Sequence, residues 1–370
     1  MDTLRNNYSH FGKNTRLATI DIAKGIGIVF VVFGHIFPIT LVTQWIYSFH
    51  VPIFFIISGF TYRYCADKKA FYLKKFRRLV IPYLCFAMMS VLIYWAMSFV
   101  ISLDTDTDIL TNIARLLYGN SNGKAMAWNT PLWFLVSMFV SVLLMDSFET
   151  LLNRKFSTDR YDLRCLFMFL CWTLGILLNT EFSVCLPWHG ESALFLTGFS
   201  EFGYLLRYIC GKPGITQKQS RRGLLTVCAC IFFLLGISAS NLNGWTDIRT
   251  HTFGKYPVLL IISTLSFSLA VLIMSLKTGK CRWICYLGNH SLAVMVMHKF
   301  PIMFFKSFIP GVQNLLDHPQ HIKGILCGLT VTVLTISLCL LAEKVILAVF
   351  PVALGQNYTH NHRNRKQITL

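Results

Sequence analysis

Long apolar stretches alternate with short polar connections along the whole chain. Ten of them are close to twenty residues long, which is about the length of a helix that crosses a bilayer. They cover 18–38, 45–64, 80–101, 131–149, 164–180, 191–210, 222–241, 256–276, 284–305 and 325–350. The pattern predicts an all-α, polytopic membrane protein with about ten transmembrane helices. Composition agrees, because only 14% of the 370 residues are charged, whereas soluble domains are about a quarter charged.

The net charge of +18 raises the question of a nucleic-acid partner, but its distribution indicates a membrane. Basic residues concentrate at both termini and in alternate connections, for example at 63–78, 154–164, 212–222 and 277–282. Because an excess of Lys and Arg marks cytoplasmic connections, we expect both termini to be cytoplasmic. The predicted organisation is a tail over 1–17, a transmembrane domain over 18–350 and a basic tail over 351–370. No nucleic-acid partner is expected. Segment 67–78 predicts an amphipathic helix on the inner membrane surface.

The first apolar stretch, "DIAKGIGIVFVVFGH", contains three ionisable side chains, Asp21, Lys24 and His35. A helix turns about 100° and rises about 1.5 Å per residue. The three side chains therefore share one stripe, with His35 about 16 Å from Lys24 toward the outer end. Asp21 is spaced to pair with Lys24. Ionisable groups inside a membrane indicate a functional site; the alternative is a lysine that reaches the interface and an interfacial histidine.

The second stretch reads "YSFHVPIFFIISGFTYR". His50 and Pro52 lie at its outer end, and we expect His50 to lie close to His35 across a short connection. Ser58 lies in mid-span and Arg63 at the inner end. The alternatives are a polar residue at a helix start for His50 and a topology anchor for Arg63.

These two motifs resemble the acyltransferase-3 family of integral-membrane O-acetyltransferases, which modify surface carbohydrates in bacteria. The family's hallmark is a basic residue, usually arginine, then ten residues and a histidine; here the pair is Lys24 and His35. Lysine at this position is similar to the fucose-acetylase-like branch. Three later segments also resemble the family: "NTPLWFLVSMF" with Trp133, "LPWHGESALFLTGFSEFGYLLR" with Glu191, and "LGNHSLAVMVMH" with Ser291 and His298. The last has Met295 in place of the usual tyrosine.

The resemblance implies an O-acetyltransferase of the bacterial inner membrane. It would move an acetyl group from cytoplasmic acetyl-CoA, a co-substrate rather than a bound cofactor, to a hydroxyl of a carbohydrate. The acceptor would be O-antigen, capsule, exopolysaccharide or a lipid-linked precursor. The catalytic candidates are His35, Lys24 and Asp21. His35 would act as a base or as the acetyl carrier. Lys24 would hold the pantetheine arm or stabilise negative charge on the thioester oxygen. The substrate-binding candidates are His50, Ser58, Arg63, Trp133, Glu191, Ser291 and His298.

Other interpretations remain open for these residues and for the chain. Glu191 is also placed to interact with a helix N-terminus, and Trp133 to belong to an aromatic belt at the interface. The histidines show no metal-ligand spacing and no HExxH pattern, so no metal site is expected. A transporter with a Lys/His polar relay is the alternative function, although the two halves show no internal similarity. A sensor or scaffold with an inert domain is a third.

Overall fold

Helices account for nearly all of the structure. The computed structural model describes residues 13–99, 109–119, 127–156, 160–210, 222–279 and 281–356. The helices are α1 (Lys13–Ile36), α2 (Leu41–Phe49), α3 (Pro52–Thr61), α4 (Lys68–Met97), α5 (Ile109–Tyr118), α6 (Trp133–Lys155), α7 (Tyr161–Thr180), α8 (Gly190–Cys210), α9 (Arg222–Asn243), α10 (Pro257–Thr278), α11 (Arg282–Asn289), α12 (Ser291–Met297), α13 (Lys299–Phe308), α14 (Val312–Asp317) and α15 (Ile322–Val349). Short 3-10 turns cover Ala127–Leu132, Pro187–His189, Ile248–Thr250 and Pro351–Leu354.

Eight helical segments in these ranges are long and apolar enough to cross a membrane. They are Ala18–Ile36, Leu41–Thr61, Lys68–Ala96, Asn129–Lys155, Tyr161–Thr180, Gly223–Asn243, Pro257–Thr278 and Ile322–Val349. Each falls on one of the predicted stretches. The other two stretches are helical as well: 191–210 lies on α8, which carries three charged side chains, and 284–305 lies on α11, α12 and α13. The all-α, multi-pass membrane fold is therefore confirmed.

Two local predictions are corrected. The second span begins at Leu41 rather than near residue 45, and it is divided into α2 and α3 around His50 and Val51. Segment 67–78 is not a separate surface helix but the first turns of α4. Asp67 caps that helix by accepting a hydrogen bond from the Ala70 backbone N–H at 3.0 Å, and the helix continues through Pro82 to Met97.

Glycines let neighbouring helices pack with their backbones in direct contact. Gly59 of α3 lies against the Ser200 carbonyl of α8, and Gly203 of α8 lies against the Ile56 carbonyl of α3. A Cβ at either position would overlap the facing backbone. Small residues at helix contacts are typical of membrane proteins, since the packing there depends on close van der Waals contact rather than on the hydrophobic effect. Helix α1 also packs against α2, α3, α10, α11 and α15, which places it inside the bundle.

The lipid-facing surface is recognisable on the peripheral helices. On α9, the exposed apolar side chains Leu224, Val227, Ile231 and Leu234 recur at helical spacing. The outward face of α15 is similar, with Leu326, Val333, Leu341 and Val345 exposed. Apolar stripes that have no protein neighbour face acyl chains in a membrane protein, so they mark the outside of the bundle.

Buried charges connect the helices at the end of the bundle away from His35. Arg164 of α7 forms ion pairs with Glu149 of α6 and, at 3.0 Å, with Glu201 of α8. Asp146 of α6 accepts hydrogen bonds from Lys68 at 2.9 Å and from Tyr62 at 2.6 Å. Buried charges without partners are costly, so these clusters specify which helices must be neighbours.

The predicted tails fall largely outside the described residues, which begin at 13 and end at 356. Helix α1 already includes residues 13–17. The turn Pro351–Leu354 contains the buried side chains Ala353 and Leu354 and packs against α4. The start of the predicted C-terminal tail is thus part of the folded bundle.

Candidate active site

A cavity of about 270 Å³ lies at the C-terminal end of α1. It forms where α1 meets the α2–α3 junction, the turn over 127–132, the connection between α9 and α10, and the broken helix α12–α13. Its lining residues are Val31, His35, Tyr47, His50, Val51, Thr130, Pro131, Trp133, Phe134, Asp247, Ile248, Arg249, Met295 and Lys299. Polar groups from five separate segments therefore meet in one partly open cavity.

Three histidines from different helices converge at this cavity. The His35 and His298 rings stack with centroids 5.3 Å apart and an interplanar angle of 24°. The His50 ring stands nearly perpendicular to that of His35, with centroids 6.1 Å apart. His50 and His298 are buried, while His35 is half-buried and lines the cavity. The proximity of His35 and His50 agrees with the sequence expectation, and His298 joins them from a distant part of the chain.

His50 and His298 both occupy breaks between helices, each followed by a proline. Pro52 lacks the N–H that would bond to the Ser48 carbonyl, and the Thr264 hydroxyl of α10 donates to that carbonyl instead. Pro301 follows the second break, and the Asn129 side chain donates to the Val296 carbonyl at 2.9 Å. Carbonyls freed by a helix break inside a membrane need such partners. The breaks are therefore built into the fold, and they bring both histidines to the cavity.

The protonation of these two rings follows from their hydrogen bonds. Nδ1 of His50 lies 2.9 Å from the Ile46 carbonyl, and Nδ1 of His298 lies 2.9 Å from the Val294 carbonyl. A carbonyl only accepts, so each Nδ1 carries the hydrogen and each neutral ring presents Nε2 as an acceptor. Nε2 of His298 is buried and has no hydrogen-bond partner among the described residues. It is thus an unpaired acceptor next to His35, although His298 itself does not line the cavity.

His35 differs because its partner is a hydroxyl. Its Nδ1 lies 3.1 Å from the Tyr47 hydroxyl oxygen, which can donate or accept. When Nδ1–H donates to Tyr47, Nε2 of His35 is free to accept a proton. The Tyr47 ring is in turn packed against Trp245 and His50, with centroid distances of 4.5 and 4.7 Å. These contacts fix the hydroxyl beside His35.

Charged side chains complete the lining. Arg249 pairs with Asp247 at 3.2 Å, and the Arg249 backbone N–H donates to the same carboxylate at 3.0 Å. Lys299 directly follows His298 and is half-buried. Among the described residues, no carboxylate lies within ion-pair distance of its ammonium group. With neutral histidines the lining carries a net positive charge, which favours negative charge in the cavity.

The other ionisable pair of α1 lies in the first half of its apolar span, Ala18–Ile36. Lys24 Nζ is 3.9 Å from Asp21 Oδ1, as the sequence spacing predicts. Because α1 is continuous from Lys13 to Ile36, Lys24 lies about 16 Å from His35 along the axis. Gly288 of α11 packs on the Asp21 backbone without room for a side chain. Asp21 and Lys24 thus form a site distinct from the histidine cavity.

A comparison with family models identifies the chain. A model described as an acyltransferase domain, that of acyltransferase family 3, matches residues 17–344. The chain belongs to the acyltransferase-3 family. It is therefore a membrane acyltransferase. Searches for similar curated proteins and for similar solved structures returned no match.

The acyltransferase brings together only some of the residues that its sequence singled out. Trp133 lines the cavity together with His35 and His50, and His298 stacks on His35. Ser58 and Ser291 do not line it, and Arg63 is exposed beyond the end of α3.

Glu191 is buried behind the cavity wall rather than in the lining. Its Oε1 lies 3.3 Å from Nδ1 of His189 and 3.2 Å from Nε2 of His251, and its Oε2 accepts the Leu186 backbone N–H at 2.8 Å. Burial lowers the pKa of His189, while the Glu191 carboxylate acts in the opposite direction. Glu191 therefore belongs to a separate cluster.

Sequence reasoning missed five polar residues of the cavity: Tyr47, Thr130, Asp247, Arg249 and Lys299. Two signals could have found the last three. The connection "NGWTDIRTHTFGKY" between two apolar spans contains an acidic residue, Asp247, and a basic residue, Arg249, two positions apart. Such a charged pair is a signal of more than a simple surface loop. Lys299 directly follows the histidine of the last motif and lies inside an apolar stretch, where a charge indicates function.

Proposed function

We propose that this acyltransferase moves an acetyl group from cytoplasmic acetyl-CoA to a hydroxyl of a cell-surface or lipid-linked carbohydrate. In this proposal it lies in the bacterial inner membrane, with both termini cytoplasmic and the histidine cavity toward the outer face. The observation that carries the proposal is the position of His35. It lines a partly open cavity in which polar groups of five segments meet, with the Tyr47 hydroxyl at its Nδ1.

His35 acts as the general base. Nε2 takes the proton of the acceptor hydroxyl as its oxygen attacks the thioester carbonyl carbon. The carbon–sulfur bond then breaks, and the proton passes from His35 to the thiolate of coenzyme A, so that the products are the ester and the free thiol. Histidine suits this work because its ordinary pKa lies near neutrality. As the ring becomes positively charged, the Nδ1–H bond to Tyr47 strengthens.

Negative charge that develops on the carbonyl oxygen is stabilised by cations near His35. Lys299 and Arg249 line the same cavity and can supply this stabilisation. Lys24 is about 16 Å away, too far to contact a carbonyl that is within reach of His35. We therefore assign Lys24, paired with Asp21, to holding the donor on the cytoplasmic side.

The size and lining of the cavity support a small acyl group and a sugar. Ligand pockets commonly measure about 300–1,000 Å³, so a cavity of about 270 Å³ favours an acetyl group and one sugar ring over a long acyl chain. Trp133 and Tyr47 provide aromatic faces, and Asp247 provides a carboxylate that can accept from a sugar hydroxyl. This lining supports a carbohydrate acceptor.

The test uses the protein in nanodiscs with labelled acetyl-CoA and glycan from the producing strain. Removing a general base costs about 10²- to 10⁴-fold in rate, so we expect a loss of that size for His35→Ala. His318→Ala is the matched control, because His318 is exposed and lies outside the cavity, and it should retain the wild-type rate. Near wild-type transfer by His35→Ala would refute the base role.

A second arm identifies the acceptor. We expect mass spectrometry of the surface glycan from a deletion strain to lack one acetyl group per repeat unit. Restoring the wild-type gene should return that acetyl group, whereas the His35→Ala variant should not. An unchanged glycan would exclude a carbohydrate acceptor. It would not bear on the acyltransferase activity, which the nanodisc assay tests separately.

A further inference from the structure

A second group of ionisable side chains lies behind the cavity, outside the proposed reaction. It consists of His189 from the turn before α8, Glu191 from the first turn of α8, and His251 from the connection between α9 and α10. One ligand-type atom of each residue lies within 4.8 Å of those of the other two. His189 and Glu191 have no exposed side-chain surface, and His251 is 9% exposed. We propose that this trio binds a divalent transition metal, with zinc the best fit.

The first argument is geometric. Ligands at about 2.0–2.1 Å from a tetrahedral zinc ion lie about 3.3 Å from each other. Oε1 of Glu191 is 3.3 Å from Nδ1 of His189 and 3.2 Å from Nε2 of His251. These two separations lie at or just beyond the long end of the range for N–H···O hydrogen bonds, about 2.7–3.2 Å. By contrast, Nδ1 of His290 and Oε1 of Glu343 are 2.8 Å apart.

The second argument is the chemistry of the donor set. Two imidazole nitrogens and one carboxylate oxygen form a recurring set of protein ligands for zinc, with a fourth position left for another ligand. Glu191 is oriented for this role, because the Leu186 backbone N–H holds Oε2 at 2.8 Å and turns Oε1 toward both rings. Such outer partners are usual for metal-binding carboxylates.

The third argument is the backbone. Among the described residues, positive φ values at positions other than glycine occur at Ser183, Trp188, His189 and His251. Two of these four are members of the trio, and Trp188 adjoins it. Such conformations are unfavourable for residues with a side chain and persist where the surroundings enforce them, commonly at functional sites. The surrounding structure thus holds both histidines in an unfavourable backbone conformation.

The metal would brace the wall of the active site. The ring of Trp133, which lines the cavity, packs on His189 with centroids 5.1 Å apart. His251 is two residues from Arg249, and Ser192 donates to the Ile248 carbonyl at 3.3 Å. A bound ion would therefore join α8 to the connection that carries Asp247 and Arg249. The role is structural, and it does not depend on the proposed reaction.

The test begins with metal content. The full-length protein is purified through a tag without histidines, and zinc is measured by plasma mass spectrometry. We expect about one zinc per chain in the wild type and the loss of most of it in Glu191→Gln and His251→Ala. His290→Ala is the matched control, since it removes a histidine from an ordinary His–Glu pair, and it should retain the metal.

Thermal unfolding of the wild type provides a second test, which does not depend on whether a variant folds. We expect a chelator to lower the melting temperature of the wild type by several degrees and added zinc, but not magnesium, to restore it. Wild type that contains no metal and does not respond to zinc would show that the trio is only a hydrogen-bonded cluster. Equal zinc in the wild type and in both trio variants would place the ion elsewhere, for example on the cysteines. Either result overturns the proposal.

Discussion

Replacing Tyr47 by phenylalanine removes one hydroxyl from the active site and little else. The ring, which packs on Trp245 and His50, is retained. What is lost is the contact of 3.1 Å between the hydroxyl oxygen and Nδ1 of His35. In the proposed mechanism Nδ1–H donates to this hydroxyl, and the hydrogen bond strengthens as His35 becomes charged. The variant therefore tests the proposed proton transfer directly.

The size of the effect follows from the change in hydrogen-bond strength during the reaction. A neutral hydrogen bond contributes about 0.5–1.5 kcal/mol, and one to a charged group about 1.5–3 kcal/mol. The transition state therefore loses about 1–1.5 kcal/mol more than the ground state. Each 1.36 kcal/mol corresponds to about tenfold in rate. We expect kcat of Tyr47→Phe to fall roughly tenfold, with KM for the acceptor nearly unchanged.

The assay is steady-state acetyl transfer in nanodiscs at saturating acetyl-CoA, with acceptor concentration varied. Tyr256→Phe is the control, because Tyr256 is exposed and lies outside the cavity. Unchanged kcat in Tyr47→Phe would refute the role of this hydroxyl in positioning His35. A raised KM with unchanged kcat would make Tyr47 an acceptor contact instead. A loss as large as that of His35→Ala would make the Tyr47 hydroxyl itself a proton-transfer group.

Two further predictions concern stability, measured as the thermal melting of detergent-solubilised protein. Gly59→Ala places a methyl group against the Ser200 carbonyl and should destabilise the fold by about 1–3 kcal/mol. Gly223→Ala is the control, because a Cβ there has no atom within 4 Å, and it should not destabilise the fold. Equal melting temperatures of the two variants would refute the close packing of α3 and α8. Arg164→Met leaves two buried glutamates without their cation and should cost about 3–5 kcal/mol. Arg160→Met breaks only a solvent-exposed pair and should leave the melting temperature nearly unchanged. A mild effect at Arg164 would mean that both glutamates are protonated in the folded variant.

The sequence contained enough to predict the fold class and part of the site. Apolar length predicted the spans, because a bilayer requires about twenty apolar residues whatever the tertiary contacts are. Helical spacing predicted the pair of Asp21 and Lys24, and a short connection predicted that His50 would lie near His35. These are local relations, which depend only on helix geometry and on chain continuity.

What could not be predicted depends on long-range packing. Asp247 and Arg249 reach the cavity only because α9 and α10 pack beside α1, α2 and α3, and no local pattern contains that information. The meeting of His189, Glu191 and His251 is of the same kind, since the last residue is sixty positions from Glu191. The break of the second span at His50 was hidden as well, because proline at a helix start and proline at a break have the same local appearance.

At His50 and His298, backbone hydrogen bonds set the protonation of the ring, whereas other side chains determine the shape of the cavity. In each case the acceptor is a carbonyl of the histidine's own helix, four residues earlier. No neighbouring side chain is needed to keep Nε2 unprotonated. Residues that line the cavity, such as Trp133, Thr130 and Asp247, can therefore be exchanged to fit a different acceptor without altering the protonation of these rings. The same catalytic framework can in this way be adapted to acceptors of different shape.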